Sequence, residues 1–226
     1  MKPTHSQKFD VVILEKENVR VNKPVFVAGF TTGGFVGSIA ARHLVESLEM
    51  NEIARLESKL IPSPKMVVDS KLKTINPLQI YTNSQGNLMV LIDQAPPGTI
   101  SPTIFWNIAD ALVNWLKKKD VREVIFLESS PAREEKIHEV YAYGADFQSL
   151  QELKESGVKT LHQGLIGGII ASMIDKCIEQ KIPWLVLLTT IKKSTDPDFH
   201  AAAIILDTLN KILRLQVDTK ILKGTS

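Results

Sequence analysis

The sequence predicts an α/β protein: a three-layer α/β/α sandwich built around a mostly parallel central sheet. Three observations predict it. Short apolar runs that read as buried strands alternate along the chain with longer segments of helical apolar spacing. Two glycine-rich turns, at 29–37 and 164–168, each stand where a helix opens. No linker, low-complexity tract or domain-scale repeat interrupts the alternation. Residues 9–222 are therefore expected to form one domain, with 1–8 and 223–226 as flexible ends.

In chain order, 9–14 reads as a first strand and 24–29 as a second, with Pro24 at its start where no ladder donor is needed. A helix follows over 36–48, with Val36, Ile39, Ala40, Leu44, Val45 and Leu48 on one face. Residues 53–60 read as a strand and 61–64 as a loop. Residues 77–82 and 88–93 form a hairpin whose turn is Asn83-Ser84-Gln85-Gly86-Asn87. After the break at 94–99, Ser101 caps a helix that has Pro102 in its first position and Ile104, Phe105, Ile108, Leu112, Trp115 and Leu116 on its apolar side.

The second half repeats the pattern. Residues 124–127 form a short buried strand ending at Glu128-Ser129-Ser130-Pro131, and 140–143 another. A short helix is expected at 147–155. The turn Gly164-Leu165-Ile166-Gly167-Gly168 enters a helix over 169–180, and 184–190 is a strongly apolar strand. Asp196 is expected to cap a last helix over 199–215, with Pro197 in its first turn, and capping that helix explains both Asp196 and Asp198 more cheaply than general acid/base work does.

Composition excludes several classes of function. Lys and Arg number 27 and Asp and Glu 25, a net charge of +2, so no broad field favours nucleic acid or an anionic membrane. The run Lys117-Lys118-Lys119 sits at a helix end, where it complements the helix dipole. Cys177 is the only cysteine, so no intramolecular disulfide or thiolate cluster forms, and its apolar setting reads as a buried, inert thiol. The first eight residues lack the apolar core of a signal peptide, and no apolar run approaches the ~18 residues of a membrane span. A cytoplasmic protein is expected.

The most informative stretch is Gly29-Phe30-Thr31-Thr32-Gly33-Gly34-Phe35-Val36-Gly37, between the apolar run at 25–28 and a helix of small residues. Helix N-termini in this setting hold phosphates. Gly29 and Gly34 have the spacing of a P-loop, but Phe35 stands where its lysine would be. Gly34 and Gly37 fit two places of a dinucleotide fingerprint, but Thr32 holds the first, and Glu57 lies about where a ribose-binding acid would. The structural alternative is that these glycines serve the strand-to-helix reversal and close packing. Should a ligand bind, the pocket candidates are Gly29, Thr31, Gly33, Gly34 and Gly37, with Glu128 and Ser129 at the end of a neighbouring strand.

Other chemistry is sparse. His5, His43, His138, His162 and His200 are scattered, and Glu135-x-x-His138 has helical ligand spacing without the second copy that a di-iron site needs. No serine sits in Gly-x-Ser-x-Gly. Trp106, Trp115 and Trp184 lie in apolar patterns as core or interface residues. No metal, cofactor or catalytic residue is expected.

Taken together, the glycine turn Gly29 to Ala40, Gln79-Ile80-Tyr81, the strand ending at Glu128-Ser129-Ser130-Pro131, the turn at 164–168, the apolar strand at 184–190 and Asp196-Pro197-Asp198-Phe199-His200-Ala201-Ala202-Ala203 resemble the proteasome assembly chaperone two family, its archaeal members most closely. The likeness covers roughly 9–222. It implies an α/β/α sandwich similar to nucleoside phosphorylase/hydrolase-like folds, homo-oligomers, and a binding role without established catalysis, with proteasome α-subunits as partners. Some relatives dock through a C-terminal hydrophobic-Tyr-any tripeptide. This chain ends Leu222-Lys223-Gly224-Thr225-Ser226, without that tyrosine, a departure from the tail-docking pattern, although the sandwich could still use its surface. The leading expectation is a non-enzymatic assembly-chaperone-like protein. The alternatives are a small-molecule or nucleotide-binding enzyme using 29–37, and an oligomeric binding protein unrelated to the proteasome.

Overall fold

The computed structural model describes residues 11–132, 136–144, 153, 158–193 and 195–224. Its first half contains β1 (Val12–Glu15), β2 (Val25–Gly29), α1 (Val36–Ser47), β3 (Asn51–Glu57), β4 (Lys65–Val68), β5 (Lys71–Thr74), β6 (Leu78–Thr82) and β7 (Leu88–Asp93). Next come α2 (Phe105–Lys118), β8 (Glu123–Pro131), β9 (Val140–Gly144) and β10 (Lys159–Thr160). The remainder is α3 (Gly168–Gln180), β11 (Trp184–Ile191), α4 (Phe199–Leu213) and the single turn α5 (Lys220–Lys223).

Among the described residues nine strands form one sheet in the order β1-β3-β6-β7-β2-β8-β11-β9-β10. Its centre, β7-β2-β8-β11, is parallel. These strands read as unbroken apolar runs because both of their faces are covered. Phe26, Met89, Phe126 and Val186 point into one core with α2 and α3, while Val27, Val90, Ile125 and Leu187 point into the other with α1 and α4. The sheet is the wall between two hydrophobic cores, and each large side chain so buried contributes about 2 kcal/mol.

Outside the centre the expected parallel arrangement does not hold. β1, β3 and β6 run antiparallel to their neighbours on one side, and β9 runs antiparallel to β11 on the other. The cause at β6–β7 is local: a five-residue turn can return the chain only to an antiparallel neighbour. The Asn83 side-chain oxygen holds that turn by accepting the amides of Asn87 and Leu88, each at 3.2 Å, while Gly86 takes φ 67°.

Three further elements differ from expectation. Residues 65–74 form a separate two-stranded hairpin, β4–β5, that the sequence pattern did not announce. Asp198, not Asp196, caps α4: its carboxylate accepts the Ala201 amide at 2.9 Å. The helix expected at 147–155 lies outside the described residues, Leu153 excepted. Ser101 and Pro102 do open a helical turn as expected, the hydroxyl accepting the Thr103 amide ahead of α2. No helix among the described residues is long and apolar enough to cross a membrane.

Candidate functional site

At the carboxyl edge of the sheet, β2 and β7 lie side by side but lead to helices on opposite faces: β2 to α1, β7 to α2. Such a switch point is where open α/β sheets leave a crevice for ligands. The glycine-rich turn, with the candidate residues Gly29 to Gly37, lies at this edge.

The glycines divide into two groups. Gly29 and Gly37 bring α1 onto the sheet: a Cβ on Gly29 would stand 2.3 Å from the Gly37 carbonyl oxygen, and one on Gly37 would stand 2.7 Å from that of Leu127. Gly34 takes φ 58° and lies under Ile191 and Asp198, whose Cδ1 and Cβ would be 2.9 and 3.5 Å from an added Cβ. Phe35, with φ 54°, continues the left-handed path, a costly conformation for an aromatic residue.

Three of the turn's amides are engaged within the turn itself. Thr32 donates to the Phe30 carbonyl at 3.0 Å and Phe35 to that of Thr32 at 3.1 Å. The Val36 amide donates to Gly33. These three donors are engaged by the turn's own carbonyls, so they do not form a cradle for an anion.

Carboxylates surround the turn. Asp93, buried at the end of β7, accepts the Thr31 amide at 3.0 Å and the Ala95 amide at 2.8 Å, while its backbone carbonyl accepts the Thr31 hydroxyl at 3.1 Å. Burial pushes its carboxyl above the ordinary range, and the Thr31 and Ala95 donors oppose the shift. Glu128, at the end of β8, is also raised by burial and opposed by the Ser129 amide, which donates at 2.8 Å. The Thr32 hydroxyl lies near enough to Glu128 to favour its charged form, yet it is buried outside hydrogen-bond geometry to any partner. Ser129 donates its own hydroxyl to the Gly33 carbonyl.

The third carboxylate, Asp198, ties three segments together. Its amide donates to the Gly34 carbonyl at 2.9 Å, its carboxylate caps α4, and the same carboxylate meets His138 Nε2 at 3.1 and 3.2 Å. The His200 ring lies 4.5 Å from that of His138. Asp93, Glu128 and Asp198 gather three acidic groups around the turn, which disfavours a phosphate there. The arrangement suits a neutral hydroxyl or a cationic group.

Thr31, Gly33, Gly34 and Ser129 thus meet around one turn, with Glu128 beside Thr32. Sequence reasoning missed Asp93, whose signal was an acid closing a buried strand before the break at Pro96-Pro97-Gly98; it singled out His138 and Asp198 separately but not the contact between them. Glu57 is not a ribose ligand in waiting: it faces solvent, accepts from Arg55 Nε at 2.8 Å, and lies on β3, separated from β2 by β6 and β7. Glu135 lies outside the described residues, and among those described no three His, Cys, Asp or Glu side chains are grouped to hold a metal ion.

The sequence matches the PAC2 family over residues 26–225. The chain belongs to the PAC2 family. The expected resemblance to the proteasome assembly chaperone two family therefore holds, and solved structures extend it. Pyrococcus furiosus PbaA, an archaeal homologue of proteasome-assembly chaperone, is 29% identical, with a TM-score of 0.79 over 95% of this chain and 90% of its own. Pyrococcus furiosus PbaB, an archaeal proteasome activator, shares the fold at 20% identity, with a TM-score of 0.79 over 95% of this chain and 93% of its own. An uncharacterized Methanocaldococcus jannaschii protein is 22% identical over 205 residues, 91% of this chain and 82% of its own. In PAC2 terms, the candidate turn belongs to the central sheet and α1 of a shared mixed α/β architecture.

Proposed function

We propose that the chain is a non-enzymatic assembly-chaperone-like protein that binds proteasome α-subunits as a homo-oligomer in the cytoplasm. The observation that carries this reading is the PAC2 match over 26–225 together with the likeness to PbaA along nearly the whole chain. The site agrees with it. Thr31, Gly33 and Gly34 are engaged by Asp93, Ser129 and Asp198 of the same chain, so the turn is spent on holding strands and helices together. The reading takes 9–222 as one domain similar to nucleoside phosphorylase/hydrolase-like sandwiches. Its test is reconstitution with purified α-subunits, following α-ring assembly on native gels. Faster assembly or a stable complex supports it; no binding by the wild type or by a variant grafted with a hydrophobic-Tyr-any tail overturns it.

One observation favours a second reading, a small ligand at the same edge of the sheet. The Thr32 hydroxyl lies beside the Glu128 carboxyl, which burial raises and which accepts the Ser129 amide at 2.8 Å. Given the charge there, the ligand would carry hydroxyl or amine groups, as a nucleoside does, and no phosphate. A thermal-shift series of nucleosides, nucleotides and phosphate tests it, because a ligand of the native state raises Tm. A shift with nucleosides that Glu128→Gln removes supports this reading; flat curves throughout overturn it.

A further inference from the structure

Among the described residues β1 ends the nine-stranded sheet, so one of its edges meets no other strand there. The Lys16 amide donates to the Ile53 carbonyl at 2.8 Å, one step beyond the pairs Val12–Glu57 to Glu15–Ala54. Backbone direction alternates along an antiparallel strand. Val12, Leu14 and Lys16 therefore turn their backbone groups toward β3, and Val11, Ile13 and Glu15 turn theirs toward the free edge. Such a row of N–H and C=O groups is a template for one kind of partner, another extended strand.

The side chains say which strand. Val11 and Ile13 pack into the core that α2 covers, whereas Val12 and Leu14 stand on the other face, 50% and 39% exposed. Glu15, the one charged residue of β1, is taken up by α2: its carboxylate accepts from Trp115 Nε1 at 3.1 Å and from Lys119. Beside Leu14 and Val12 on β3 stand Arg55 and Glu57, which pair with each other at 2.8 Å. The edge is thus apolar at its middle and balanced in charge around it. Positions 10, 12, 14 and 16, which share one face by alternation, read Asp, Val, Leu and Lys. Run antiparallel against itself about Ile13, this series is its own complement: valine meets leucine and aspartate meets lysine, twice each. The neighbouring registers lose the match. Centred on Val12, position 10 meets Leu14; centred on Leu14, Lys16 meets Val12.

We infer that β1 of one copy pairs antiparallel with β1 of a second copy about a two-fold axis at Ile13, joining two sheets into one. Ile13 exchanges both backbone hydrogen bonds with its counterpart, Val11 and Glu15 bond the opposite ends of the second strand, and Val12 and Leu14 of each copy cover Leu14 and Val12 of the other. The contact is isologous and closes at two copies. The inference rests on the homo-oligomer part of the proposed function and names the surface that makes it.

Cross-linking reads the register directly. Residue 12 of one copy and residue 14 of the other form a non-hydrogen-bonded pair, with Cα atoms ~4.5 Å apart, a separation that a disulfide spans. Val12→Cys and Leu14→Cys chains, mixed and mildly oxidised, are expected to give a linked dimer that neither variant gives alone, and the buried Cys177 takes no part. Self-linking of either variant means another register, and no link at all means that something else covers the edge; each result overturns the pairing. In sedimentation, Val12→Lys/Leu14→Lys opposes like charges and weakens the dimer at least about tenfold. Val12→Lys/Leu14→Glu opposes unlike charges in this register and keeps it. Both positions are exposed, so each variant stays folded by circular dichroism. Equal association of the two variants overturns the pairing. An oligomer without the 12–14 link overturns this inference alone, whereas a linked dimer that binds no α-subunit overturns the proposed function alone.

Discussion

Gly29 and Gly37 face each other with no space for a side chain between strand and helix: a Cβ on Gly29 would stand 2.3 Å from the Gly37 carbonyl oxygen and 2.4 Å from the Ala41 Cβ. Both obstacles are rigid. Gly29→Ala is therefore expected to cost about 3 kcal/mol or more, the upper range of core overpacking, measured by urea unfolding. Gly164→Ala, whose nearest neighbours are the mobile end of Leu161 from 3.2 Å, is the control and keeps nearly wild-type stability.

Asp198→Ala removes the acceptor for the Ala201 amide and the partner of His138. Losing such a cap costs about 1–2 kcal/mol. Asp196→Ala, exposed and paired with Thr195 and Lys193, costs less than about 0.5 kcal/mol. Equal effects of the two substitutions in thermal unfolding would contradict the capping role of Asp198.

Burial raises the Glu128 carboxyl above its ordinary value of 4.5. The folded state then holds its proton more tightly than the unfolded chain, so this group's contribution is full below that value and is lost as pH rises through the raised one. Glu128→Gln should accordingly raise Tm relative to wild type at neutral pH, with the difference closing toward pH 4 in a pH series of melts. A lower Tm for Glu128→Gln at neutral pH would mean that the ionised carboxylate stabilises the fold.

The Cys177 thiol is pushed up to about 12 by burial inside α3. At pH 8 it carries roughly a thousandfold less thiolate than an exposed cysteine. Iodoacetamide is expected to leave the native protein unlabelled and to label it in urea, as mass spectrometry reads. Rapid labelling of the native form would mean that α3 opens readily.

The elements most legible in the sequence were those whose burial is complete. The runs at 25–29, 124–127 and 184–190 show no alternation because each strand feeds two cores, and their burial survives any detail of topology. The hairpin at 78–93 carried its own turn chemistry in Asn83 and Gly86. The β4–β5 arm lacked both signals: its Lys and apolar residues are exposed on both faces, so no period marks it. Strand direction beyond the hairpin was equally hidden, because β1 and β3 take theirs from neighbours remote in sequence.

For the candidate site, the sequence showed a glycine-rich turn after a buried strand and a missing lysine at Phe35, but not the groups that surround the turn. The acids that decide its character, Asp93 and Asp198, reach Thr31 and Gly34 only through folding. The choice between Asp196 and Asp198 as cap depended on which carboxylate meets the Ala201 amide, a matter of φ and ψ that two aspartates flanking one proline do not reveal.

The bond from the Asp198 amide to the Gly34 carbonyl also bears on the order in which the molecule can be finished. A ribosome adding about 5–20 residues per second delivers Asp198 roughly ten to thirty seconds after Gly34. During the earlier part of that interval β2 also waits for β7, complete at Asp93, and β8, complete at Pro131, before it has neighbours on either side. The nascent chain must carry its most apolar early strand, Val25-Phe26-Val27-Ala28, uncovered for much of its synthesis, which makes the first third of the chain the segment most dependent on protection during translation.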